Sequence, residues 1–175
     1  MKTTLYMAIS ANGIIATETG DEEFLSHENW EKFCGLAREF GNFVVGRKTY
    51  EAVKKWNGGY NFDDLVGIEK IIISQDQNFK LDEGYALAIS PEDALAKLSK
   101  KGFDKALVTG GASINSAFAK ANLLDEVILN VAPVFVGKGI PLFASQDLEL
   151  NLQPLLSFIA FAKSDGVKIV GSVLE

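Results

Sequence analysis

Short apolar runs ending in glycine or a small polar residue alternate along this chain with segments whose apolar side chains recur every three to four positions. The first pattern fits buried strands and the second amphipathic helices, so the chain must form a sheet covered by helices. Residues 4–11 read as a strand that stops at the turn pair Asn12-Gly13, after which Ile14 and Ile15 resume it. Ser26 is placed to cap a helix that runs to Phe40, with Trp30, Phe33, Ala37 and Phe40 on one face and Gly41 at its end. Residues 42–46 form a second strand that turns directly into a helix over about 48–55, and 70–74 form an isoleucine-rich third. Ser90-Pro91-Glu92-Asp93 supplies a cap, a first-turn proline and two acids for another helix, closed by Gly102.

Residues 105–109 then read as a buried strand, Gly110-Gly111 leads into a helix over 112–121, and 125–135 is the longest β run. Asp165-Gly166 between alternating segments 155–163 and 167–174 signals a terminal antiparallel hairpin. The fold class expected is α/β: a mixed, mostly parallel sheet with helices on both faces. A length of 175 residues fits a single domain over 1–175.

Charge and composition narrow the function. The formal net charge of −6 argues against a broad nucleic-acid or anionic-membrane surface, which needs a sustained basic field. His27 and Cys34 are each the sole residue of their type, so neither a disulfide framework nor a His/Cys metal site is expected. The N-terminus enters a strand without a secretory apolar segment, and no run of 18 apolar residues occurs, so the expected compartment is the cytoplasm.

Two strand-to-helix turns can carry chemistry. Gly46-Arg47-Lys48-Thr49 places two cations and a hydroxyl at a helix start, where free N–H groups attract phosphate; an ordinary solvated cap is the other reading. Thr109-Gly110-Gly111-Ala112-Ser113 lets backbone amides approach a pyrophosphate, or is simply a tight turn. It lacks the G-x-G-x-x-G spacing of the Rossmann fingerprint. Both turns would lie at the carboxyl edge of the sheet, where open α/β sheets bind ligands, and together they could grip one dinucleotide. Asn29 shares a helical face with Phe33 and could hydrogen-bond a heterocycle; Glu28 beside it reads equally as a dipole complement. Ser74-Gln75 could contact a phosphate or an adenine, or end a strand without function.

These motifs resemble the dihydrofolate reductase superfamily, including the branch formed by the reductase domain of riboflavin biosynthesis. The resemblance rests on residues 7–16, Gly46-Arg47-Lys48-Thr49-Tyr50-Glu51 and Val108-Thr109-Gly110-Gly111. It is closest to the riboflavin branch in Leu124-Asp125-Glu126, Val131-Ala132-Pro133-Val134 and residues 137–143. It implies an NADPH-dependent oxidoreductase on a mostly parallel sheet whose last strand is antiparallel. The nicotinamide would lie near Ala8, Ile15 and Gly110-Gly111, and Arg47, Lys48 and Thr49 would hold phosphates beside Gly46 and Thr109. Ser74 and Gln75 would lie near the 2′-phosphate, and Ala112, Ser113 and Ile114 would present a helix start to the pyrophosphate.

On the substrate side the resemblance implies Asn29, Phe33 and Asn130, with water or Glu28 as proton source. True dihydrofolate reductases carry a carboxylate four residues before the pocket phenylalanine, where this chain has Asn29. Ile68 stands near the place of the cation for a folate tail, with Lys70 as a stand-in, and Phe24-Leu25 replaces a tryptophan-proline loop. The riboflavin branch's aspartate-aspartate-proline segment is replaced by Thr49-Tyr50-Glu51. The main expectation is hydride transfer to a pterin-like heterocycle of dihydrofolate type. The alternatives are the riboflavin-pathway reduction of a ribosylaminouracil phosphate and a non-catalytic NADPH-binding module. A homodimer is expected, formed through residues 131–135 and the terminal hairpin.

Overall fold

The computed structural model describes residues 1–56, 60–145 and 147–152, together with the backbone of 160–162 and 168–170. The strands β1 (Lys2–Ser10), β3 (Asn42–Gly46), β4 (Glu69–Ile73), β5 (Tyr85–Ala88), β6 (Lys105–Val108) and β7 (Glu126–Ala132) form a six-stranded sheet in the order β5-β4-β3-β6-β1-β7. Every pairing in it is parallel. Among the described residues, antiparallel pairing is confined to two ribbons, β2 (Ile14–Thr17) with β8 (Gly139–Pro141), and β9 (Ala160–Ala162) with β10 (Lys168–Val170). The last pair lies within the expected terminal hairpin, whose Asp165-Gly166 turn falls outside the described residues.

Local chemistry sets the helix ends. In α1 (His27–Phe40), the Ser26 backbone N–H and hydroxyl both donate to Asn29 Oδ1, at 2.8 and 3.0 Å. The helix stops at Gly41, whose φ of 69° turns its N–H back toward Arg38. In α3 (Pro91–Lys100), the Ser90 hydroxyl accepts from Asp93 N at 3.2 Å. The helix α2 (Arg47–Val53) starts straight from the end of β3, and α4 (Ala112–Lys120) follows β6 after residues 109–111, with Gly46 and Gly111 in extended dihedrals as their N-caps.

The pleat sorts the apolar side chains into two layers. Phe43, Val45, Ile72 and Leu107 face α1 and α2, where they bury Phe33, Ala37, Tyr50 and Val53. Val44, Ile71, Ile73, Ala106 and Val108 face α3 and α4, where they bury Ala94, Leu98 and Phe118.

Three expectations need correction. The run over 125–135 is shorter than β1 because it ends at Ala132, where Pro133 has no N–H to give a ladder. That strand joins β1 in parallel because α4 crosses over between β6 and β7, so the antiparallel last strand is not in the central sheet among the described residues. The second helix begins at Arg47 rather than Lys48, directly on the strand end. The short strand β5 was not anticipated. No helix among the described residues is long and apolar enough to cross a membrane.

Candidate active site

The connections from β3 and β6, which are neighbours, depart in opposite directions. After β3 the chain passes through α2 to β4 on one side, and after β6 it passes through α4 to β7 on the other. Such a reversal leaves a crevice at the carboxyl ends of the two strands. The seam is held at both ends. At the amino end, fully buried Asn42 donates to Lys105 O at 2.9 Å and accepts from Leu107 N at 3.2 Å. At the carboxyl end, Thr109 N donates to Val44 O at 2.9 Å and Gly46 N donates to Gly110 O at 2.8 Å.

Glycine is required where the two turns meet. A Cβ on Gly46 would stand 2.7 Å from Ile114 Cγ1, and one on Gly111 would stand 3.0 Å from the Thr49 hydroxyl. At Gly110 a φ of 85° adds a backbone reason, and a Cβ there would meet Met7 Sδ at 2.9 Å.

Above this seam opens a cavity of about 940 Å³. Ala8, Ile15, Lys48, Thr49, Thr109 and Gly111 line it at the sheet edge, so these residues of the proposed cofactor set converge. Asn29 and Phe33 line it from α1. Gly46, Gly110, Ala112 and Ile114 are not among its lining; Gly46 and Gly110 join the two turns, with Ile114 packed against them. The remaining polar candidates stand apart. Arg47 turns back on its own helix, with Nε 4.0 Å from Glu51 Oε2 and the guanidinium 5.5 Å from the Phe79 ring. The Ser74 side chain is buried and accepts from Asp76 N at 3.1 Å, while Gln75 and Ser113 are exposed.

Asn130 reaches the site through a second side chain. Its Nδ2 donates to the Tyr6 hydroxyl at 3.3 Å, and that hydroxyl donates to Asn29 O at 3.1 Å. Burial raises the Tyr6 phenol above its ordinary value, which keeps it a neutral donor. Glu28, by contrast, is exposed on α1 and is not part of the cavity lining. Lys70 is buried with its ammonium 5.1 Å from the Tyr85 ring, and Ile68 packs against the core.

Two groups of lining residues escaped the sequence reading. One is an aromatic wall of Trp30, Trp56, Tyr60 and Phe62, in which Trp30 stacks on Phe62 at 5.7 Å and meets Tyr60 edge-on at 5.5 Å. The other is the acidic loop Asp21-Glu22-Glu23 between β2 and α1. Burial, with a smaller push from the Asp21 carboxylate, moves the Glu22 carboxyl up to about 8. The three aromatics Trp56, Tyr60 and Phe62 and the three acids, each set close together in sequence, were the available signals; neither states which way a side chain turns.

The sequence profile of the RibD C-terminal domain matches residues 1–160. The chain belongs to this family. It is therefore of the riboflavin-type branch, to which the sequence resemblance is closest, and this favours the riboflavin-pathway alternative over the dihydrofolate-type activity that was the main expectation. The Bacillus subtilis protein YwjB is 28% identical over 155 residues, covering 87% of this chain and 88% of its own. Among solved structures, a pyrimidine reductase-like protein from Corynebacterium diphtheriae shares the fold with a TM-score of 0.68 at 14% identity, covering 99% of this chain and 92% of its own. A diaminohydroxyphosphoribosylaminopyrimidine deaminase/5-amino-6-(5-phosphoribosylamino)uracil reductase from Thermotoga maritima matches with a TM-score of 0.64 at 19% identity. That match covers 97% of this chain and 55% of the larger protein.

Proposed function

We propose that the protein is an NADPH-dependent reductase of a uracil-like heterocycle, of the riboflavin-pathway type represented by 5-amino-6-(5-phosphoribosylamino)uracil. The observation that carries this reading over dihydrofolate is the state of the Asn29 side chain. Its Oδ1 is committed to the Ser26 N–H and hydroxyl, and since a backbone N–H can only donate, the atom facing it must be oxygen. Asn29 therefore offers donors to the cavity. A uracil ring presents carbonyl oxygens that accept from such an amide, whereas a pterin's amino group and ring N–H need the acceptor that a carboxylate provides.

The residues at the seam fit a dinucleotide. Two glycine turns bring backbone close to the crevice, and the Lys48 ammonium and the Thr49 hydroxyl stand beside Thr109 and Gly111 as phosphate partners. When bound, the reduced nicotinamide supplies a hydride. The protein's part is placement: the aromatic wall offers flat apolar faces to a planar ring and excludes water, while Ala8 and Ile15 keep the sheet edge apolar. Tyr6 and Asn130 hold the start of α1, and so Asn29, in register with β1 and β7. The exposed residues Ile128, Leu129 and Phe135 on and beside the edge strand β7 support a homodimer on that side.

The test is loss of NADPH absorbance with 5-amino-6-(5-phosphoribosylamino)uracil and, separately, with dihydrofolate. Turnover of the uracil compound and none of dihydrofolate is expected. The reverse preference refutes the assignment from Asn29. NADPH at 100 times its Kd should stabilise the fold by about 2.7 kcal/mol. Stabilisation without turnover of either compound would establish a non-catalytic NADPH module instead.

A further inference from the structure

Reduction of a C=N bond needs a proton as well as a hydride, and of the carboxyls lining the cavity Asp21 and Glu23 are exposed, Glu51 stands 4.0 Å from Arg47 Nε, and Glu22 is half-buried. The loop that carries Glu22 is tied down at several points. Thr17 N donates to Asp21 O at 2.8 Å, Asp21 N to the Thr17 hydroxyl at 3.1 Å, and Glu23 N to Asp21 Oδ1 at 2.7 Å. Leu25 N then donates to Glu22 O at 2.8 Å, leading into the Ser26 cap. All three acids of the loop line the cavity, with Asp21 and Glu23 exposed and Glu22 half-buried in the wall shared with Asn29, Phe33 and Thr109.

We propose that Glu22 is the proton donor of the reaction. This assignment rests on the reductase reading. The ribosylamine first opens, its C1′–O bond breaking as the N–H proton moves to the ring oxygen, which leaves a C=N bond. Its carbon then takes the hydride as the nicotinamide is oxidised, the nitrogen takes the proton from the Glu22 carboxyl, and the resulting carboxylate is reprotonated from water at the cavity mouth. The charged residues lining the same cavity are Asp21 and Glu23 on the Glu22 loop, Lys48 and Glu51 from α2 and Lys55 just beyond it, with Asn29, Tyr6 and Tyr60 completing the lining. Burial, with a smaller push from Asp21, raises the Glu22 carboxyl to about 8, so it is protonated at neutral pH, as a general acid must be. Other donors are placed less well. His27 stands on the outer side of α1, 3.5 Å from Glu31, and is not part of this lining.

The test uses the full chain and Glu22→Gln. In cofactor-free protein, carbon-13 NMR of the side-chain carboxyls should show one group titrating near 8 that is missing in the variant. With NADPH and 5-amino-6-(5-phosphoribosylamino)uracil, kcat should fall by about 10²- to 10⁴-fold in the variant. The decline of the wild-type rate above pH 8 should vanish with it, while NADPH still stabilises the variant as it does the wild type. No carboxyl titrating near 8, or a variant that keeps the wild-type rate and profile, overturns the assignment of Glu22. So does a loss that follows Glu28→Gln instead. A wild type that binds no NADPH overturns the reductase reading itself.

Discussion

Gly46→Ala tests whether the meeting of the two glycine turns makes the cofactor crevice. The backbone at Gly46, with φ −78° and ψ 150°, suits alanine, so any cost comes from contact alone. The new Cβ would lie 2.7 Å from Ile114 Cγ1, 3.5 Å from its Cδ1 and 3.6 Å from Gly110 O. Carbon atoms rest at about 3.5–4.0 Å, so the first turn of α4 must retreat by roughly 1 Å. Overpacking of this kind costs about 1–3 kcal/mol. The retreat also strains the 2.8 Å bond from Gly46 N to Gly110 O and moves Gly111 away from Thr49. Urea unfolding should show the stability loss, and NADPH titration should show binding weaker by about tenfold, the equivalent of 1.4 kcal/mol. Ile114→Ala removes the clashing atoms, so the double variant should recover about 1–2 kcal/mol relative to the sum of the single changes. Additive effects, or a Gly46→Ala protein with unchanged stability and affinity, would refute the reasoning.

Glu22→Gln also alters the dependence of stability on pH. Between the ordinary carboxyl value of 4.5 and about 8, the folded chain keeps a proton that the unfolded chain has released, so wild-type stability falls as pH rises and levels off above 8. Allowing for water's partial access to the loop, the fall is about 1–3 kcal/mol, and urea unfolding at pH 5 and pH 9 should show it only in the wild type. Arg47→Ala should change stability by less than about 1 kcal/mol, because its contacts with Glu51 and Phe79 are partly solvated. If Arg47 meets the 2′-phosphate, NADPH binding should weaken far more than NADH binding; equal weakening in paired titrations removes that role. Tyr6→Phe deletes the hydroxyl between Asn130 and Asn29 and should cost about 1–2 kcal/mol in urea unfolding. An unchanged midpoint would show that this link does not hold α1.

What could be read in the sequence depends on how far each determinant reaches along the chain. Ser26, Gly41, Ser90 and Pro91 set helix ends through bonds within a few residues, and those ends are legible. The glycine turns are legible for the same reason, since their effect on the backbone is local. Their partnership is not: Gly46 and Gly110 meet only because β6 inserts between β3 and β1, a choice that no nearby residue encodes. The substrate side of the cavity is the extreme case, assembled from loop residues 21–23, from Trp30 on α1, and from Trp56, Tyr60 and Phe62 beyond α2. A helical wheel separates Glu28 from the Phe33 face, yet it says nothing of Glu22, whose burial arises from how the preceding loop folds. Asn29 lies between these cases. Its place on the Phe33 face is readable from the sequence, and Ser26-x-x-Asn29 has the spacing of a capping box. A capping box consumes the acceptor at its third position, so the commitment of the Asn29 oxygen to Ser26 was already written in that spacing. Replacing a carboxylate with an amide changes more than charge at such a site, because the helix cap takes the oxygen and leaves only N–H for the ligand.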